Sequence, residues 1–314
     1  MIITQNTDPY HNQALEEYLL ETVKEDEMIL YLWQNQKTVV IGRNQDASYE
    51  CDIARLEKDG GHLARRTSGG GAVYHDLGNL NFTFLCHKEN YDKQKQNTVI
   101  LNALRKLNID AEINGRNDLT INERKFSGHA YLKKKDACYH HGTLMVDVNS
   151  DDLSKYLHVS LLKLQNKMVD SVRSRIINLR ELKDDLSIKE LSEVLIEAFG
   201  ETYEGEITYL KEEDLDEERI SELRENFADP EWRYGKSKNL PLQCEKKFDW
   251  GLVRITYELK EEKISDIEIY TDCLDVDCFK DLPSKLKGRK IDETLYSGLN
   301  EEEKAIAEML EKKL

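Results

Sequence analysis

Four prolines and sixteen glycines in 314 residues exclude collagen-like and low-complexity classes. The longest apolar runs, such as Met28–Trp33, are far too short to span a bilayer. Basic residues are in deficit: 45 Lys and Arg stand against 61 Asp and Glu, a net charge of −16. A polyanion selects the opposite sign, so no nucleic-acid partner is expected. Cysteine is scarce and scattered, six in all with no C-x-x-C pair. The closest two, Cys273 and Cys278, have no second pair with which to build a zinc site. All six read as reduced thiols, and Met1–Tyr10 has neither basic nor apolar leader character. A cytoplasmic protein with no membrane partner is expected.

What is present is enough hydrophobic sequence, 39%, for one large domain and a smaller one. Asn12–Asp26 has apolar residues at helical spacing, Ala14, Leu15, Tyr18, Leu19 and Val23. Strand-like runs follow at Met28–Trp33, Thr38–Gly42, His62–Ala64, Ala72–His75 and Asn79–Cys86. The last alternates Leu80, Phe82, Phe84 and Cys86 with Asn79, Asn81 and Thr83, which predicts one buried face. A helix is expected over Thr98–Leu107, then strands at Ala111–Ile113, Asn117–Ile121, Lys125–Leu132 and Tyr139–Val148. Ile188–Phe199 reads as a helix, and the acidic stretch Lys211–Glu225 as a solvated helix face. Beyond Pro241, strands are expected near Phe248–Leu259 and Ile264–Tyr270, with helices near Val276–Leu282, ended by Pro283, and Glu301–Leu314. The reading is α/β (α+β): a mixed domain over 1–232 and a small α+β domain over 241–314.

The loudest motif is Arg65-Arg66-Thr67-Ser68-Gly69-Gly70-Gly71 between two strands. Successive glycines let the backbone approach a ligand, and their N–H groups form an anion-binding concavity. The two arginines suit a phosphate or carboxylate. The spacing fits neither the dinucleotide fingerprint nor the P-loop. A second motif couples Gly115-Arg116-Asn117-Asp118 to Lys125-Phe126-Ser127-Gly128-His129-Ala130-Tyr131. Strict alternation puts Lys125, Ser127, His129 and Tyr131 on one face. A tight turn at Asn122-Glu123 then sets Thr120 opposite Lys125 and Asp118 opposite Ser127. Asp118 and Lys125 become diagonal neighbours, roughly 7–8 Å apart or less. His140 and His141 point to opposite faces of a strand, so they do not ligate one metal together. Lys167–Arg175 is a basic, hydroxyl-rich stretch that reads as a solvated loop or a clamp on phosphate.

Taken in order, RRTSGGGAVYHDLGN at 65–79, GRNDL at 115–119, RKFSGHAY at 124–131, HHGTLMVD at 140–147 and SVRSRIINL at 171–179 resemble the lipoate-protein ligase family. EWRYG at 231–235 and FDWG at 248–251 extend the resemblance into the C-terminal unit, whereas Leu132 stands where relatives can carry a basic residue. The resemblance implies a biotin-ligase-type catalytic domain with a mixed sheet flanked by helices, and a small C-terminal domain that moves. It implies that lipoate and ATP form lipoyl-AMP, with Mg2+. The lipoyl group then passes to a lysine of an acceptor protein: an E2 subunit of a 2-oxoacid dehydrogenase, a glycine-cleavage H protein or an H-like protein. The enzyme is expected to act as a monomer. Lys125 matches the family's essential lysine, and Asp118 the acid that receives the acceptor lysine or helps hold magnesium. Ligand contacts are implied for Arg66, Thr67, Ser68, Gly69, Gly70, Gly71, Ala72, Val73, Tyr74, His75 and Asn79. They extend to Asn117, Ser127, Gly128, Ala130, His141, Thr143 and Arg173, with Trp33 as a wall of the acyl slot. That slot is expected to be apolar, so that octanoate is activated as well. The alternatives are an octanoyl or lipoyl transferase working through a cysteine thioester, and a non-catalytic lipoate- or nucleotide-binding regulator.

Overall fold

A computed structural model describes residues 1–115, 118–158, 175–235 and 238–311. The alternating run becomes an inner strand of a seven-stranded sheet. Its order is β1 (Ile2–Ile3), β2 (Met28–Trp33), β6 (Asn79–His87), β10 (Ala137–Met145), β9 (Arg124–Lys133), β8 (Asp118–Ile121) and β7 (Glu112–Asn114). Only β1 and β2 pair in parallel; the other neighbours are antiparallel. On one face Leu80, Phe82 and Phe84 pack with Val99, Ile100 and Leu104 of helix α4 (Lys93–Lys106), and with Leu191, Leu195 and Phe199 of α6 (Ile188–Tyr203). Helix α4 starts five residues before the predicted Thr98, because Asp92 caps it by accepting from the Lys95 N–H.

The other face of β6 departs from expectation. Asn79, Asn81 and Thr83 are as buried as the apolar residues between them. They lie under α1 (Pro9–Thr22), which begins at Pro9 rather than Asn12. Asp8 caps that helix, and proline is accommodated at a first helical position because its missing N–H is one that needs no partner there. Ala14, Leu15 and Leu19 of α1 meet Ile220, Leu223 and Phe227 of α7 (Glu217–Ala228). The acidic stretch is therefore solvated on one side only.

A smaller sheet, ordered β4 (His62–Arg65), β3 (Thr38–Ile41), β5 (Val73–His75), roofs this polar face. It is backed by α2 (Ala47–Glu50), α3 (Ile53–Lys58) and α5 (Ser150–Tyr156). The glycine-rich segment is the link between β4 and β5. Helix α8 (Pro230–Tyr234) precedes the C-terminal unit, a three-stranded meander of β11 (Leu242–Phe248), β12 (Gly251–Lys260) and β13 (Lys263–Thr271) with its own core. Two strands were expected there; the chain turns at Asp249-Trp250 and makes three. Helix α9 (Leu282–Leu286) begins where a helix was predicted to end, since Pro283 occupies a first-turn position instead of stopping a helix. The last helix is α10 (Glu301–Glu311).

Candidate functional site

The β8–β9 hairpin turns through Asn122 and Glu123, both left-handed with φ of +50° and +63°. That conformation matches the twist of the flanking strands. Thr120 faces Lys125 as expected, but Leu119 faces Ser127 and Asp118 faces Gly128. One extra residue, Phe126, bulges out of the ladder. The bulge reverses the predicted grouping of side chains. Phe126 drops into the core under α4, and Ser127, fully buried, bonds to His129 Nε2 at 2.9 Å. Lys125 instead joins Gly128 and Ala130, and its Nζ sits 2.8 Å from Asp118 Oδ1. The diagonal pair is thus a direct ion pair. The ammonium lies over Gly128, where an added Cβ would stand 2.8 Å from Nζ.

The arginines do not wait for a ligand. Arg65 donates to the carbonyls of Gly42, Arg43, Gln45 and Trp232, and Arg66 to those of Val40, Gly69 and Gly71 and to Ser68 Oγ. Burial pushes both guanidinium groups down to about 10. They staple the glycine loop into shape. Gly70 takes a φ of +91°, open to few residues other than glycine, and its N–H donates to Cys273 O at 3.0 Å. A Cβ on Gly69 would come within 2.3 Å of that same carbonyl. The C-terminal unit thus rests on the back of the loop, aided by Arg254 Nη1 on Asp46 Oδ2 at 2.6 Å.

Between loop and sheet runs a continuous hydrogen-bonded chain. Arg66 Nε donates to Ser68 Oγ at 3.0 Å, and Ser68 Oγ lies 2.8 Å from His141 Nε2. His141 Nδ1 donates to Glu16 Oε1 at 2.8 Å, which also accepts from Thr83 Oγ1 at 2.7 Å. Thr83 in turn accepts from Trp33 Nε1 at 3.0 Å. With the carboxylate filling Nδ1, the other imidazole nitrogen accepts the serine proton. This chain fixes the Trp33 indole, which stacks on Tyr31.

Together these elements line a cleft of about 110 Å³. Of the sequence-predicted residues, Lys125, Trp33, Arg66, Gly70, Gly71, Ala72, Val73, His75, Gly128, Ala130, His141 and Thr143 line it. Asp118 reaches it through Lys125. Thr67, Ser68, Gly69, Tyr74, Asn79 and Ser127 lie outside its lining: Thr67 bonds to Tyr139 Oη, and Tyr74 to Asp152. Asn117 and Arg173, with all of Lys167–Ser174, lie outside the described residues. Gln13, Glu16, Val40, Asn81, His129 and Gly142 also line the cleft and were missed. The signal available for Gln13 and Glu16 was a pair of polar residues flanking Ala14-Leu15, on the buried side of an apolar helix. Apolar surface makes up most of the slot, and Gln13, Glu16, His75, Asn81 and His141 add polar groups to its wall.

Behind the sheet, His129 Nδ1 pairs with His140 Nε2 and His140 Nδ1 with Gln96 Oε1, each at 3.0 Å. Burial keeps these imidazoles neutral, His129 and His75 pushed down to about 3 and His140 well below the usual range. Among the described residues no group of three His, Cys, Asp or Glu side chains is arranged to hold a metal ion. No cysteine lines the cleft; burial pushes Cys86 up to about 12 and raises Cys138.

Residues 8–200 match the family model of the lipoyl protein ligase A/B catalytic domain, and 237–313 that of the bacterial lipoate protein ligase C-terminus. The lipoate-protein ligase A of Psychrobacter cryohalolentis is 40% identical over 91% of this chain and 87% of its own length. That of Bdellovibrio bacteriovorus is 37% identical over 92% and 87%. Among solved structures, P. falciparum LipL1 in complex with lipoate superposes with a TM-score of 0.82 at 31% identity, covering 99% of this chain and 98% of that one. A lipoate-protein ligase A bound with ATP gives a TM-score of 0.65 at 29% identity, over 74% and 98%. No helix among the described residues is long and apolar enough to cross a membrane. With both family models matched in order, and relatives aligned along most of its length, the chain belongs to the lipoate-protein ligase family.

Proposed function

We propose that the chain is an ATP-dependent lipoate-protein ligase. A carboxylate oxygen of lipoate attacks the α-phosphorus of ATP, the bond to the β-phosphate oxygen breaks, and pyrophosphate leaves. The ε-amine of an acceptor lysine then attacks the acyl carbonyl; the amide forms, AMP leaves and the amine sheds a proton. The observation that carries this reading is Lys125, an ammonium set beside the strand bulge at the cleft, with the Asp118 carboxylate next to it. Bringing a carboxylate to a phosphate sets two anions together, and a fixed cation between them offsets the repulsion. The remaining work is positioning, which needs no covalent enzyme intermediate. Asp118 is the acid at hand for the incoming lysine.

Mg2+ fits as a phosphate-borne ion with one protein ligand, because Asp118 offers a carboxylate next to Lys125 and such ions keep water and phosphate as their other ligands. Bound there it would offset charge on the leaving pyrophosphate. We assign 1–232 to catalysis and 241–314 to an accessory domain. The acceptor is an E2 lipoyl domain, a glycine-cleavage H protein or an H-like protein; one structural neighbour is an archaeal ligase described with its E2 lipoyl domain. We assign the chain to the cytoplasm, in keeping with six cysteines that form no disulfide among the described residues, and take it to act as a monomer.

Ser68, His141 and Glu16 have the spacing of a hydrolase triad. Ser68 is fully buried and absent from the cleft wall, so that chain supports structure. A cysteine transferase would need an activated thiol, and Cys86 and Cys138 are pushed the wrong way. Incubation with ATP, lipoate and labelled pyrophosphate separates the readings. Lipoate-dependent label in ATP is expected; its absence refutes the ligase and leaves a transferase or a binding protein.

A further inference from the structure

Row by row, the cleft floor gives a ruler. Gly128, Thr143, Asn81 and Trp33 sit side by side on β9, β10, β6 and β2, tied by the Gly128 N–H on Thr143 Oγ1 at 3.2 Å and by the pairings Thr143–Asn81 and Asn81–Trp33. With strands about 4.8 Å apart, Asn81 lies about 10 Å from the glycine beneath Lys125. That is the length of an extended eight-carbon acyl chain. At this far end three buried donors have no partner. Gln13 of α1 is 2% exposed with both amide atoms unpaired, and Asn81 is 1% exposed with Nδ2 unpaired. His75 is 3% exposed with Nε2 unpaired.

The surrounding network sets the donor sense of His75. Asn12 Nδ2 faces Asn6 O, Gln34 O and Asn35 Oδ1, and Asn35 in turn presents Nδ2 to His75 Nδ1 at 3.2 Å. With Nδ1 accepting, the imidazole proton sits on Nε2. Asn81 Oδ1 faces Asn79 Nδ2 at 2.9 Å, which turns its own amide N–H groups to the cleft, and the Gln13 amide, unpaired at both atoms, is free to present its own. Buried polar groups without partners are uncommon, and three along one cleft wall call for a ligand that satisfies them. No charged group here is left without partners: Arg66 is taken up by backbone carbonyls, Glu16 by His141 and Thr83, and His75 is uncharged. The cup suits a terminus that accepts weakly and bears no charge.

We infer that Gln13, His75 and Asn81 are specificity-determining residues that read the heteroatoms at the end of the acyl chain, so that the site selects a dithiolane over a plain alkyl terminus. The inference rests on the ligase reading above. A divalent sulfur is a soft acceptor without a proton, matched to amide and imidazole donors. An alkyl end would displace water from the cup and leave those donors unpaired. A site built to hydrogen-bond a substrate rejects the analogue that lacks the group for this reason.

The test compares lipoate and octanoate in ATP–pyrophosphate exchange for the wild type, Gln13→Leu, Asn81→Leu and the double variant. The wild type is expected to favour lipoate at least tenfold in kcat/KM. In the double variant that ratio should fall at least tenfold, through a loss with lipoate and a gain with octanoate. A general packing defect would depress both acids alike and leave the ratio in place. Thermal melting checks that the variants fold, and Gln13→Met, which keeps the length of the side chain, serves if the double variant does not. Equal use of both acids by the wild type, or an unchanged ratio in folded variants, overturns the inference. Use of neither acid by the wild type instead strikes at the ligase reading itself.

Discussion

Replacing Lys125 by alanine removes the ammonium that the structure aims at the cleft. The side chain is 37% exposed and its partner Asp118 is 35% exposed, so the ion pair contributes little to folding, on the order of 1 kcal/mol or less. Its contribution to the reaction is of another size. A preorganised charge or donor placed where negative charge develops is worth about 3–4 kcal/mol, a loss of about 10²–10³ in turnover. The two half-reactions are assayed apart: ATP with lipoate for adenylation, preformed lipoyl-AMP with a lipoyl domain for transfer. Both should fall by that factor while the unfolding midpoint hardly moves. Arginine should rescue poorly, because its planar fork replaces a compact ammonium that fits against Gly128. Lys133, Lys134 and Lys135 are internal controls. They line a separate cleft with Leu132 and Phe227, and Lys134 is already tied to Glu17. Near-normal turnover by Lys125→Ala in both assays, or a larger loss at Lys134, would refute the assignment.

Gly128→Ala should push Lys125 aside, since the new methyl would lie 2.8 Å from Nζ and 2.9 Å from Cε. A displaced reacting group costs about a hundredfold, so kcat/KM should drop while the melting temperature stays nearly constant. Thr83→Val breaks the hydrogen-bonded chain and leaves Trp33 Nε1 without an acceptor. Urea unfolding should register a loss of about 2–3 kcal/mol, and a neutral result would show that water replaces the hydroxyl. Stability should also fall with acid. His75 and His129 titrate near 3 when folded, below their ordinary 6.5, so between those values the unfolded chain binds protons that the folded chain refuses. Their contribution is complete above about 6.5 and is lost as pH falls towards 3, at about 1.4 kcal/mol per pH unit for each ring. A flat urea midpoint between pH 6 and pH 5 would contradict the buried neutral assignment.

Most strand positions and the motif residues were legible because strands announce themselves by period two and the glycine loop by its composition. The bulge was not. Lys125-Phe126-Ser127-Gly128 alternates as smoothly as any regular strand, and one extra residue reverses the face of everything before it. Charge alone does not tell whether the guanidinium groups of Arg65 and Arg66 meet a ligand or their own chain's carbonyls; both are held by carbonyls, and Arg66 also lines the cleft. Polar residues of α1 were passed over for the opposite reason: only its apolar residues were read, yet the helix also buries Gln13 and Glu16 over the cleft. Pro283 shows that proline fixes a local angle without saying on which side of it a helix lies.

The hydrogen bond from the Gly70 N–H to the Cys273 carbonyl joins positions some two hundred residues apart. A ribosome delivers the glycine loop some two hundred residues before its acceptor. The large sheet can assemble on the nascent chain, but the loop stays unlatched until the meander that carries Cys273 has emerged and docked. A chain cut short after residue 235 is therefore expected to leave the loop without this latch. The latch is a backbone contact, so the carbonyl need not belong to the same polypeptide. A separately synthesised C-terminal segment that docks at this place would complete the loop as well as the native one does.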